Sequence, residues 1–113
     1  MDEDEFWALI ERSRDEAGGD PDGQAEVLGH LLRGCSDAEL LEFARCHDAC
    51  QLRADRWQLR AAGSVIEGGM GDDSFVYFRD WLISRGREVF EDALRDPDSL
   101  ADLPDARPGH VTA

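Results

Sequence analysis

Residues 57–94 read WQLRAAGSVIEGGMGDDSFVYFRDWLISRGREVFEDAL, and this stretch decides the fold. It holds two of the three Trp, the only Tyr and three of the five Phe in the chain. Gly68, Gly69 and Gly71 cannot continue a helix cheaply, so they divide an amphipathic run ending near Val65 from a second one. In that second run Phe75, Phe78, Trp81 and Leu82 recur at helical spacing. Asp72 or Asp73 is expected to cap it. Gly86 interrupts it before Val89, Phe90 and Leu94 carry the apolar surface to about residue 95. Only Ser74 to Phe78 has β-prone composition, and its context is helical.

Upstream, the same punctuation recurs. Asp2 with Glu5 precedes Phe6, Trp7, Leu9 and Ile10, which starts a first helix over about residues 3–17. Gly18 and Gly19 end it. Asp20-Pro21 reads as a cap followed by proline at the first helical position, opening a second helix over 21–33 with Leu28, Leu31 and Leu32 on its apolar side. Ser36-x-x-Glu39 is a full capping box. From there Phe43, Cys46, His47, Cys50, Ala54, Trp57, Ala61 and Val65 recur at steps of three and four. That periodicity predicts one long helix, or two nearly collinear ones, over 37–66, with Trp57 and Trp81 as core anchors. Asp96-Pro97-Asp98 starts a last helical turn. The expectation is an all-α, compact single-domain array of about five helices spanning 1–103, with residues 104–113 a disordered acidic, Pro- and Gly-containing tail.

Composition bounds function. The chain has 113 residues, enough for one core, and 42% of them are hydrophobic. Its 26 acidic residues against 12 basic ones give a formal net charge of −14, and every basic residue is Arg. Such a balance opposes binding along a phosphate backbone or an anionic membrane and favours a basic protein or peptide as partner. The acidic start MDEDEFW lacks the basic and apolar parts of a secretory signal, and no apolar run reaches the length of a membrane span. Three Cys suit free thiols in a reducing compartment, so the expected location is cytoplasmic.

Three constellations carry possible chemistry. Cys46 and Cys50 share a helix face and are two soft ligands, but a closed tetrahedral site needs four, and Cys35, His30 and His110 stand at no recognised spacing. They are read as small buried hydrophobes, with no metal or cofactor expected. Asp72 and Asp73 sit where a cation or an acid–base pair would suit them, yet capping and the helix dipole account for both. Tyr77, Arg79, Trp81, Arg85 and Arg87 interleave rings and guanidinium groups on one helix, with Asp80, Glu88, Asp72 and Asp73 as the ready partners of these Arg. No nucleophile elbow or phosphate loop is present, and no catalytic residue is assigned.

The chain resembles an uncharacterised bacterial domain family (domain of unknown function 4240). The resemblance rests on Asp2-Glu3, Phe6-Trp7-Leu9-Ile10-Glu11, Gly19-Asp20-Pro21, Phe43, Arg45, Asp48, Arg56-Trp57 and Leu59. It is densest over Gly68-Gly69, Asp72-Asp73, Phe75, Tyr77-Phe78-Arg79, Trp81-Leu82-Ile83, Gly86-Arg87-Glu88 and Phe90. It implies a helical domain and supplies no reaction. Departures lie at Asp55, Arg60 and Ser64, where the family often has aromatic residues, at Met70, where it has a small one, and at Cys46, His47 and Cys50.

The leading functional expectation is a non-enzymatic helical module that binds a protein or peptide. Its surface is placed around Gly68–Asp73 and the exposed side of Tyr77, Arg79 and Arg87, beside Trp57. The rival is a small enzyme or ligand-binding protein using Asp72, Asp73, Tyr77, Arg79 and Trp57 around a pocket. A further alternative is an acidic mimic of nucleic acid. Oligomeric state is left open.

Overall fold

Local chemistry sets most helix ends. The computed structural model describes residues 1–102, which form six α-helices and a closing 3-10 turn, with no strand among the described residues. Helix α1 spans Glu3–Glu16, and the Asp2 carboxylate accepts from the Glu5 amide at 2.8 Å. Helix α2, Pro21–Arg33, begins with proline where the missing N–H costs nothing, and Asp20 accepts from the Gly23 amide at 3.1 Å. Helix α3, Asp37–Ala54, opens with the reciprocal capping box of Ser36 and Glu39, at 3.2 and 2.9 Å. Helices α4 (Trp57–Glu67), α5 (Asp72–Ser84) and α6 (Arg87–Arg95) follow, and Pro97–Asp102 forms the 3-10 turn. Residues expected to form the tail, 104–113, lie outside the described residues.

Two expectations are corrected. Of the two forms expected for 37–66 the structure has two helices, α3 and α4, and the first correction is to the apolar register, because the chain breaks at Asp55 and Arg56, whose backbone leaves helical geometry. The break shifts the phase of the apolar pattern. Ala54 closes the inward face of α3, whereas α4 turns Leu59 and Gly63 inward. Trp57 is consequently no core anchor: it is 75% exposed. The second correction concerns α5. Its N-cap is Gly71, with no side-chain cap, so neither Asp72 nor Asp73 caps the helix; both lie in its first turn, where the dipole favours negative charge.

Helix α5 is the centre of the array and packs against α1, α3, α4 and α6. It contributes Phe75, Phe78, Trp81, Leu82 and Ile83 to the core. Phe6, Trp7 and Ile10 of α1 and Phe90 and Ala93 of α6 complete the larger part, and Leu100 closes one end. Rings meet in two groups. Phe6 touches Trp7 and Phe43 at centroid distances of 5.1 and 4.9 Å, and Trp7 meets Phe90 at 5.4 Å. Phe78 stacks between Phe75 and Trp81 at 6.5 and 5.9 Å. Each fully buried ring stabilises the fold by roughly 1.5–3 kcal/mol.

A polar junction ties α1, α2 and α5 together. Ser13 and Gln24 are buried on the inner faces of α1 and α2. The Gln24 amide donates to Ser84 O at 2.9 Å and to the Ser13 hydroxyl at 3.3 Å, while its oxygen accepts from the Arg85 guanidinium. Arg14 donates to Arg85 O, and Glu11 accepts from the Arg87 amide at 3.0 Å. Between them the chain turns at Gly86, whose φ of 103° is open to glycine alone at low cost. A Cβ there would also stand 2.9 Å from Arg14 Nη1 and 3.3 Å from Glu11 Cγ.

Candidate functional site

The loop between α4 and α5 is built from glycine and one anchor. Gly68 ends α4 in the left-handed region and Gly69 follows at φ 133°. Met70 then packs back onto the core, over Gly63, where a Cβ would come within 2.8 Å of the Met70 methyl. Arg60 stitches the loop from the side, pairing with Asp72 at 2.8 Å and donating to Met70 O at 3.3 Å. The result holds Asp72 and Asp73 in solvent at the start of α5.

Beyond that loop, one stripe of α5 runs along the edge of the core, with Trp81 buried and Tyr77 exposed. Ser74, Tyr77, Trp81 and Ser84 follow one another at steps of three, four and three, and so share a face. They border a groove of about 520 Å³, closed by Pro21 of α2 and Glu67 of α4. Phe78 and Trp81 form its apolar floor, and Tyr77, 70% exposed, stands at its edge. Two carboxylates line it, Glu67 and Asp80. His47 lies 3.3 Å from Asp80, and Gln51 donates to the same oxygen. The His47 contact, joined by Gln51, holds the Asp80 carboxyl below its ordinary range against the opposing effect of burial. The groove therefore combines one exposed ring, Tyr77, with an ionised carboxylate, a setting that suits a guanidinium or ammonium group.

The residues singled out from sequence do not all meet there. Asp73 and Tyr77, four apart on α5, share a side near the groove, and Asp72 is engaged by Arg60. Arg79 points elsewhere. Its guanidinium lies 4.5 Å over the Phe75 ring, donates to Gln51 O at 3.0 Å and stands 3.9 Å from Asp55, clamping α5 to the end of α3. Arg87 belongs to α6, where it pairs with Asp4 at 2.7 Å and Glu3 at 3.6 Å. Trp57 sits on the far side of α4, against Pro97. Glu67, Asp80 and Trp81 were not singled out as binding residues, although the 74/77/81/84 spacing, offset from the buried 75/78/82 set, carries the signal.

A second cleft, about 440 Å³, lies between α1, α3 and α6 and contains Cys46 and Cys50. Burial pushes the Cys50 thiol up to about 11 and also raises Cys46, so both favour the protonated, unreactive form. Arg53 crosses the rim, bonding Glu91 through two contacts of 3.0 and 2.8 Å. All three cysteines are free, and no three potential ligands gather to hold a metal ion among the described residues. No helix there is long and apolar enough to cross a membrane.

Residues 1–112 match a family described as "Protein of unknown function (DUF4240)", which covers nearly the whole chain. No curated protein and no solved structure matches.

Proposed function

We propose that this chain, which belongs to the family of unknown function DUF4240, is a non-enzymatic helical module that docks a basic segment of another protein. The observation that carries this reading is the groove along α5, where Tyr77, Phe78 and Trp81 lie beside Glu67 and Asp80. An Arg or Lys side chain laid over the exposed Tyr77 ring would have the Glu67 and Asp80 carboxylates within the same groove, and the net charge of −14 attracts such a partner from a distance. The nearby groups that chemistry would use are engaged in structure. Ser84 donates to Trp81 O, His47 contacts Asp80, and Arg79 is held by Gln51 O and Phe75. The free thiols fit a cytoplasmic setting.

The test is titration of isotopically labelled protein with an Arg-rich helical peptide, followed by amide chemical shifts. Shift changes should centre on Ser74, Tyr77 and Ser84 and fade as salt is raised. Tyr77→Ala should weaken binding by about tenfold with unchanged thermal stability, because the exposed ring contributes little to the core. Shifts scattered over the acidic surface, indifferent to Tyr77→Ala, would refute the assignment.

A further inference from the structure

The loop that joins α4 to α5 hangs on one side chain of its own. Between Glu67 and Asp72 the chain reads Gly68-Gly69-Met70-Gly71, so Met70 alone can anchor it by packing. That side chain is half-buried against the core and rests on Gly63. A Cβ at Gly63 would stand 2.8 Å from the Met70 methyl, 3.1 Å from its sulfur and 3.4 Å from Phe78 Cδ2. The thioether thus occupies a close apolar seat, while the residue keeps part of its surface in solvent. Glu67 and Ser74, which flank the loop, both border the groove along α5.

We infer that Met70 is a site of reversible oxidation, and that its sulfoxide releases the loop and with it the Glu67 and Ser74 end of the groove. Selectivity comes from burial. The other methionine, Met1, has a side chain only 2% exposed and an amino group bound to Glu42, so a peroxide reaches Met70 first. Cys46 and Cys50 are kept protonated by burial, the form of a thiol that reacts slowly with peroxide.

The step needs a peroxide such as hydrogen peroxide. Its O–O bond breaks as the Met70 sulfur takes one oxygen, and the other oxygen leaves as water with both protons. The thioether is oxidised, the peroxide is reduced, and the side chain stays uncharged. The product is larger and polar. Against Gly63 and Phe78 its oxygen would exchange hydration for apolar surface. Turning that oxygen to water lifts the side chain from its seat, and the neighbouring glycines supply no second anchor. A methionine sulfoxide reductase returns the thioether, the oxygen leaving as water while thiols are oxidised to a disulfide. Release of the loop does not depend on what the groove binds.

Peroxide treatment of the native chain, followed by digestion and mass spectrometry, tests the site, and amide hydrogen exchange tests the release. Met70 should gain oxygen well before Met1. The amides to watch are Gly69, bonded to Ser64 O at 2.9 Å, and Phe75, bonded to Gly71 O at 3.0 Å. In the oxidised protein both should exchange about tenfold faster or more, while those of Trp81 to Ser84 keep their rates. Reductase treatment should restore the slow rates. Met70→Leu, close in volume and apolar, should fold normally and remove the response to peroxide, whereas a response due to cysteine oxidation would persist in it. Met70→Gln should speed exchange at the same amides without oxidant. Oxidation of Met70 no faster than that of Met1 overturns the proposal. So does a sulfoxide that leaves Gly69 and Phe75 protected, or an undiminished response in Met70→Leu.

Discussion

Two regions of this molecule use similar residues to opposite ends. Around α1, α2 and the end of α5, large rings are enclosed and the polar side chains Gln24 and Ser13 are buried with hydrogen-bond partners. Around α4, Trp57, Ala61 and Val65 face solvent, and the connecting glycine loop is exposed on the same helix's far end. Both regions are amphipathic in sequence. What separates them is how many helices cover the apolar face: α1 packs on α2, α3 and α5, whereas α4 packs chiefly on α5 and the 3-10 turn among the described residues. The first region holds the fold together, and the second leaves apolar area exposed.

The sharpest way to break this contrast is to empty each side in turn. Phe6→Ala removes a ring with no solvent exposure and should destabilise the protein by about 3–5 kcal/mol in denaturant unfolding. A loss below about 1 kcal/mol would mean that the enclosed region is loosely packed. An intermediate effect lies where α3 meets α5. Because the Asp80 carboxyl titrates below its unfolded value, its contribution is present above the ordinary carboxyl range and is lost as pH falls through the depressed one. Asp80→Asn should therefore flatten the acid side of the stability curve. The effect should stay under about 1 kcal/mol, since the carboxylate is half exposed. At the open end, Trp57→Ser should change stability by no more than about 0.5 kcal/mol, although it deletes the largest type of side chain. A loss comparable to that of Phe6→Ala would erase the distinction between the regions.

Sequence disclosed the first region better than the second. Asp20-Pro21, Ser36-x-x-Glu39 and the glycines at 68 and 69 act locally, so their roles can be read without neighbours, and the helices they bound lie within a residue or two of expectation. The break at Asp55-Arg56 carries neither Pro nor Gly. Nothing in that dipeptide announces it, and the three-residue step from Ala54 to Trp57 matched a continuous helix by accident. One unseen break was enough to turn Trp57 from inside to outside. The position of Asp72 and Asp73 and their place near the helix dipole were right but the side-chain cap was not, because the N-cap position falls on Gly71, one residue before the first Asp. The buried pair Ser13 and Gln24 left a trace that went unused. Ser13 sits three residues after Ile10 and seven after Phe6, on the inward stripe of α1, and Gln24 sits four before Leu28 on α2. The 74/77/81/84 spacing held a signal of the groove that went unread, and its acidic wall at Glu67 depended on how α4 and α5 meet, which only tertiary packing decides.

The seat of Met70 over Gly63 has a consequence for how this chain can change. A methyl group added at 63 would improve the helix by about 0.8–1 kcal/mol in propensity and evict the thioether in the same step. Shortening residue 70 alone would leave a hollow. The two sites thus trade volume across the loop, and substitutions at them should combine non-additively in either order. Change at one position alters the space open to the other, so the two sites are coupled in what each can hold.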